Sequence, residues 1–288
     1  MAKRRKRILC KKTQPQATLA FNKLVQLRAL FEVKHWEIEE GTDISCFDRY
    51  VKMLSVLNES QQVFMMDISK RFLRIPQSEY LESIIPPVKS LRETYPDKTL
   101  VFTACLKKED IEELKSPSSV LYQIKGTTIK TKVNLGDYKV IGLLNANTVK
   151  QLDLTRSQIV LVDDFVGTGE TASKAVKYVH ELLPEVKNDS ICVLCIVTMQ
   201  NGKTVLENQG IRVFNHVVCK RGISDYYTEP QLDNAIAEMQ GIEKTLQNLR
   251  PEYRFGYMQS EALVCMERCP NNTFPIYWLT KGVAPYER

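Results

Sequence analysis

What the chain lacks narrows its function first. No apolar stretch among its 288 residues reaches membrane-spanning length, and residues 1–12 have no apolar run of signal-peptide kind. The expectation is a cytoplasmic globular protein with no membrane partner. Histidine is scarce, at three residues, and none neighbours Cys265 or Cys269. Cys192 and Cys195 form C-x-x-C, but inside the strand-like run ICVLCIV, whose alternation sends them to opposite faces. A zinc site is therefore not expected, and the eight cysteines read as reduced, structural thiols. There is no internal repeat and no low-complexity linker. Acids are missing from residues 1–12, MAKRRKRILCKK, which hold seven Lys or Arg. The formal net charge of +6 less those seven gives −1, so the remaining body is near neutral. The arm over 1–15 reads as a disordered, solvated terminus, with nucleic-acid binding through residues 1–12 as the alternative.

What is present suits a large globular core: 288 residues, 43% of them hydrophobic. From 16 to 96 the pattern is helical. Leu24, Leu27, Leu30 and Phe31 make one apolar stripe, and Phe47, Tyr50, Val51, Leu54 and Leu57 another. Pro76, Pro86, Pro87 and Pro96 punctuate the rest, and His35 and Trp36 read as packing residues. From 97 the pattern alternates between strand and helix. TLVFTAC, KVIGLL, IVLVDDF, ICVLCIV and IRVFNHVV read as strands, residues 231–249 as a helix, and ALVCMER as a last strand. This predicts an α/β fold, a doubly wound, mostly parallel sheet, preceded by an N-terminal helical region.

Residues 159–171, IVLVDDFVGTGET, carry most of the chemistry. Four apolar β-formers suit a central strand buried on both faces. Asp163 and Asp164 follow, then a glycine-containing loop, then apolar positions from Ala172 to Leu183 at helical spacing, stopped by Pro184. Gly167 and Gly169 allow positive φ and close backbone approach. Thr168 and Thr171 add hydroxyls at a helix amino terminus, where free N–H groups favour an anion. A phosphate monoester fits at 167–171. Asp163 and Asp164 would repel it, so ribose hydroxyls or a metal ion suit them better. GTGETA also matches the dinucleotide fingerprint G-x-G-x-x-A, but no acid follows the next strand. A P-loop needs Gly-Lys-Ser/Thr, and Lys174 lies too far into the helix.

An apolar strand, Asp-Asp and Thr-Gly-x-Thr together resemble the loop of type I phosphoribosyltransferases that binds 5-phosphoribosyl pyrophosphate (PRPP). The resemblance implies that Asp163 and Asp164 hold the ribose hydroxyls. It implies that Gly167, Thr168, Gly169, Glu170 and Thr171 cradle the 5′-phosphate, and that Mg²⁺ accompanies PRPP, bound mainly by the pyrophosphate and ribose rather than by assigned protein ligands. Two positions depart from the family pattern. The 6-oxopurine enzymes carry an acid just before Thr-Gly, where this chain has Gly167, so a hypoxanthine-guanine salvage enzyme is not expected. Glu170 places a negative charge where the family usually has a small or basic residue.

The family's second loop, which binds pyrophosphate, has two candidates. One is Lys115, Ser116, Ser118 and Ser119, which offer hydroxyls and a cation; Lys107 and Lys108 are the other. Lys220–Asp225, a cationic loop after IRVFNHVV, could meet pyrophosphate or the acceptor, or be a solvated turn. Near the C-terminal end, CPNNTFPIYW sets amides and a hydroxyl beside aromatic rings, a mixture that recognises planar heterocycles or packs a local core. Asn271, Asn272 and Trp278 are the acceptor-side candidates.

VDDFVGTG together with NNTFPIYW resembles phosphoribosyltransferase-like proteins encoded beside bacterial conflict and antiviral systems. That resemblance implies a defence effector, with a partner protein in such a system and an unspecified acceptor. The expected organisation is a basic arm over 1–15, a helical region over 16–96, and a phosphoribosyltransferase-like domain over 97–288. The expected function is a phosphoribosyltransferase using PRPP and Mg²⁺. The alternatives are a non-catalytic PRPP or nucleotide sensor, and an interaction module that uses the basic arm.

Overall fold

A computed structural model describes residues 19–38, 45–110, 116–150 and 152–288. The basic arm, and with it the nucleic-acid alternative at 1–12, lies outside the described residues. The amino-terminal helices are α1 (Phe21–Val33), α2 (Cys46–Ser55) and α3 (Glu59–Ser69). Side chains cap two of them. Ser45 Oγ accepts from the Asp48 N–H at 2.9 Å, and Asn58 and Gln61 form a reciprocal capping box. A two-residue strand, β1 (Leu73–Arg74), leads into α4 (Tyr80–Thr94).

The sequence pattern treats Pro86 and Pro87 as punctuation, but both lie inside α4. Each interior proline costs a helix about 3 kcal/mol. Tertiary packing outweighs that cost, because Ile84, Val88 and Leu91 are buried against the sheet, and each buried aliphatic side chain contributes roughly 1.5–3 kcal/mol. The helical stretch over 16–96 therefore divides: α1–α3 pack elsewhere, while α4 belongs to the sheet.

The sheet follows in chain order: β2 (Thr99–Ala104), α5 (Pro117–Lys125), α6 (Thr127–Lys132), β3 (Tyr138–Val140), α7 (Ala146–Val149) and β4 (Ser157–Val162). Next come β5 (Phe165–Val166), α8 (Glu170–Leu182), β6 (Ile191–Met199), α9 (Gln200–Asn208) and β7 (Arg212–Cys219). All pairings are parallel, in the spatial order β3-β2-β4-β6-β7, and the short β5 also pairs with β6. The fold is thus the doubly wound parallel sheet that the alternating pattern predicts. Val160 and Val162 of β4 point toward α4 and α5, while Ile159 and Leu161 point toward α8. Cys192 and Cys195 likewise fall on opposite faces of β6. The strand order reverses between β2 and β4, and in open parallel sheets the crevice at the carboxyl ends of such a pair receives ligands.

Two strand expectations differ in detail. KVIGLL is regular strand only to Val140, although the Ile141 N–H still donates to Phe102 O at 2.8 Å and Gly142 O accepts from the Ala104 N–H at 3.3 Å. ALVCMER contributes only β8 (Val264–Cys265), which pairs with β1 in a separate two-stranded sheet rather than joining the main one. Between β7 and β8 runs α10 (Gln231–Thr245). It shares a core with α1–α3 and residues 263–286 that is rich in aromatic rings. Phe72 lies at its centre, 4.5 Å from the Tyr277 ring and stacked on Tyr286 at 5.0 Å.

Candidate functional site

At the crest of β4 the two aspartates part company. Their backbone stays in the sheet: the Asp163 N–H donates to Leu194 O at 3.0 Å, and Asp164 O accepts from the N–H groups of Ile196 and Val197. Asp163 lines a cavity of ≈ 370 Å³. Its Oδ1 accepts from the Asp164 N–H at 2.9 Å and from Ser116 Oγ at 3.3 Å. Asp164 is not part of the cavity wall. Its Oδ2 accepts from the Tyr80 hydroxyl at 2.8 Å, and Tyr80 Oη in turn accepts from the Glu267 N–H at 3.1 Å. Burial first, and then the neighbouring Asp164 charge, raise the Asp163 carboxyl well above the usual carboxylate range. Burial and the Asp164 carboxylate similarly raise the Tyr80 phenol, keeping it protonated as a donor.

The loop after β5 turns sharply into α8. Gly169 has φ +81°, a conformation that a side chain rarely tolerates. The loop also packs without a gap on its neighbours. A Cβ on Gly202, in α9, would lie 2.1 Å from Gly167 O, and one on Gly167 would lie 2.4 Å from the Asn272 side chain. A side chain at Gly167 would therefore have to displace the Asn272 amide. Gly167 through Ala172 line the cavity, so the amino terminus of α8, whose first N–H groups lack helical partners, opens onto it.

Glu170 does not leave a bare negative charge at that terminus. Lys174 Nζ donates to its Oε1 at 2.5 Å and the Tyr257 hydroxyl to its Oε2 at 2.8 Å, and these contacts lower its pKa.

The other candidates separate. Asn271 and Asn272 line the cavity, facing the loop; Asn272 Nδ2 also donates to Ser260 Oγ at 3.1 Å. Trp278 does not reach it. That side chain is buried, its Nε1 donates to Thr273 O at 2.7 Å, and it lines a neighbouring cleft. Lys115 lies outside the described residues. Ser116 meets Asp163, whereas Ser118 and Ser119 sit in the first turn of α5 away from the cavity wall. Lys107 lines the cavity, but Lys108 turns away to pair with Glu181 at 3.0 Å. In the 220–225 loop, Arg221 is engaged by Asp225, and the N–H groups of Ile223 and Ser224 donate to the buried Glu261 carboxylate at 2.9 and 2.7 Å. The Ile223 and Ser224 amides of that loop are thus taken by an internal carboxylate.

Sequence reasoning missed Tyr80, Gly202, Tyr253 and Tyr257. Gly202 offered the one usable signal, a glycine in the first turn of a helix directly after a buried strand. Among the described residues, no group of three or more His, Cys, Asp or Glu is placed to hold a metal ion, and no helix is long and apolar enough to cross a membrane.

A family model described as PRTase-CE matches residues 81–287. No curated protein matches the chain. Among solved structures, the chain is similar to the Helicobacter pylori xanthine-guanine-hypoxanthine phosphoribosyltransferase, at 11% identity over 51% of this chain and 84% of that one, with TM-score 0.32. An orotate phosphoribosyltransferase from Aeropyrum pernix gives 12% identity over 49% of this chain and 70% of that one, with TM-score 0.29. The AQ2163 protein of Aquifex aeolicus gives 16% identity and TM-score 0.29; the match covers 43% of this chain and 57% of that one.

Proposed function

Because the chain belongs to the PRTase-CE family, we propose that it binds PRPP, or a closely related ribose phosphate, and transfers or releases the phosphoribosyl group. One observation carries this reading. The amino terminus of α8, the 167–171 loop and the Asp163 carboxylate converge on one cavity at the reversal of strand order. A phosphate fits the helix terminus, and a ribose hydroxyl can donate to Asp163. Asp164, tied to Tyr80, acts as a positioning residue that fixes the strand end. In the reaction the C1–oxygen bond to pyrophosphate breaks, and pyrophosphate leaves with the electron pair. The acceptor's nucleophilic atom forms the new bond to C1 and gives its proton to solvent or to the departing pyrophosphate. Lys107, on the cavity wall, and Ser116, bonded to Asp163, are the groups we assign to the charge that pyrophosphate gathers.

Mg²⁺ suits this site. Asp163 is a buried carboxylate beside a second carboxylate, its charge destabilised by both, so a cation carried in by PRPP would relieve it. When bound, the ion neutralises charge on the pyrophosphate.

A sensor without turnover remains as a second reading, favoured by the withdrawal of Asp164 from the cavity to Tyr80. Calorimetric titration with PRPP, with and without Mg²⁺, tests binding. Asp163→Asn is expected to weaken it about tenfold to a hundredfold, the loss of one charged hydrogen-bond acceptor. No PRPP binding under either condition overturns the reading, and binding without pyrophosphate release selects the sensor. The free thiols of all described cysteines support a reducing compartment such as the cytoplasm. The pairing of VDDFVGTG with NNTFPIYW supports a setting in bacterial conflict systems, with a partner protein encoded there.

A further inference from the structure

Next to the ribose-phosphate cavity lies a second cleft of ≈ 410 Å³, and Tyr253 and Asn271 line both. Its wall carries three arginines, Arg250, Arg268 and Arg288, around the rings of Tyr253 and Trp278. The two rings meet edge to face at 5.6 Å, and the Arg288 guanidinium stands 5.9 Å over the Trp278 ring. Among the described residues no carboxylate is in salt-bridge contact with Arg268 or Arg288, and Arg250 has only a loose, exposed pairing with Glu252 at 3.7 Å. Partial burial and the nearby Arg268 charge hold the Arg288 guanidinium below its ordinary pKa. The Arg268 and Arg288 guanidiniums repel each other, and an anion between them relieves that repulsion. Guanidinium geometry matches phosphate oxygens two at a time, and aromatic faces suit a planar ring.

On the reading of the first cavity as a PRPP site, we propose that this cleft binds the acceptor and that the acceptor is a nucleotide-like molecule. Its planar ring lies against Tyr253 and Trp278, and its phosphate meets Arg250, Arg268 and Arg288. The shared wall at Tyr253 and Asn271 then sets the acceptor's reactive atom toward the ribose. The volume fits a single mononucleotide rather than a bare phosphate.

The test fills the first cavity with ribose 5-phosphate and Mg²⁺, which cannot react onward. The four common ribonucleoside 5′-monophosphates are then titrated, each against its own unphosphorylated nucleoside. At least one monophosphate is expected to bind at least tenfold more tightly than its nucleoside. Arg268→Ala is expected to weaken that binding at least tenfold and to leave ribose 5-phosphate affinity within twofold. Several results overturn the proposal. One is equal binding of nucleotide and nucleoside, or none of either. Another is Arg268→Ala weakening PRPP alone, which would assign the cleft to pyrophosphate. A third is affinity that rises steeply with the length of a single-stranded oligonucleotide, which would make it a nucleic-acid surface. Arg268-dependent nucleotide binding without any ribose 5-phosphate binding would sink the PRPP reading alone.

Discussion

One wall of the cavity proposed to take ribose phosphate comes from a single stretch, residues 163–174, folded by its own local chemistry. The facing wall, Tyr253, Tyr257, Asn271 and Asn272, is built from single 3-10 turns and loop rather than from α-helix or sheet. It hangs from the aromatic core that joins α1–α3 to residues 274–286. The first wall is held by strand pairing and a helix; the second is held by packing between segments about 200 residues apart. The comparison teaches that half of this site depends on distant contacts, so it can be loosened without touching the 167–171 loop, the proposed phosphate cradle.

The largest effect is expected from Phe72→Ala. Phe72 is fully buried between Tyr277 and Tyr286, and removing such a ring costs about 3–5 kcal/mol. Hydrogen exchange should show lost protection over residues 253–278 while the amides of β4 remain protected. Equal loss in both regions would erase the distinction between the walls.

Gly202→Ala acts on the first wall. Its methyl would lie 2.1 Å from Gly167 O and 3.0 Å from the Gly169 amide nitrogen, so the loop must shift. A stability cost of about 1–3 kcal/mol is expected. PRPP affinity should fall at least about tenfold, since the phosphate cradle itself moves. Unchanged affinity in a calorimetric titration would show that the loop's shape does not matter.

Tyr80→Phe sharpens the difference between the two aspartates. It leaves the buried Asp164 carboxylate and the Glu267 N–H each without a partner, at about 1–3 kcal/mol. The thermal midpoint should drop, with a smaller effect on PRPP affinity than Asp163→Asn. The reverse ranking would move the ribose contact to Asp164.

The smallest effect concerns the second wall and pH. Burial raises the Glu243 carboxyl to about 7, partly offset by the Phe255 N–H, which donates to its Oε1 at 2.7 Å. The folded state therefore holds a proton that the unfolded state has already released. Stability contributed by this group falls as pH rises from the ordinary 4.5 toward about 7, and is flat above that. Glu243→Gln should remove this fall and stabilise the protein at pH 8 by on the order of 1 kcal/mol, allowing for solvent screening. Denaturation at pH 5 and pH 8 checks it; a wild-type protein more stable at pH 8 than the variant would contradict the sign.

Much of the first wall was legible because its signals are local. An unbroken apolar run, two acids and two glycines specify a buried strand, a turn and a helix start over thirteen residues. The pyrophosphate side was less legible. Hydroxyls and lysines are common in loops, and nothing local distinguishes Ser116, which meets Asp163, from Ser118 and Ser119, which do not. Trp278 had the right composition for an acceptor contact, but nothing local showed that it would line the neighbouring cleft, with its indole N–H held by Thr273 O, rather than the main cavity.

By itself the sequence determined the parallel sheet, the glycine turn at 167–171 into α8 and the placement of acids at the end of β4, because strand, turn and helix preferences act between near neighbours. Only the tertiary structure decided that Asp163 faces the cavity while Asp164 turns to Tyr80, that Asn272 seals against Gly167, and that three arginines gather in the adjoining cleft. Those outcomes depend on which distant segments share a core, and the aromatic packing of residues 72, 277 and 286 set that, not any local preference.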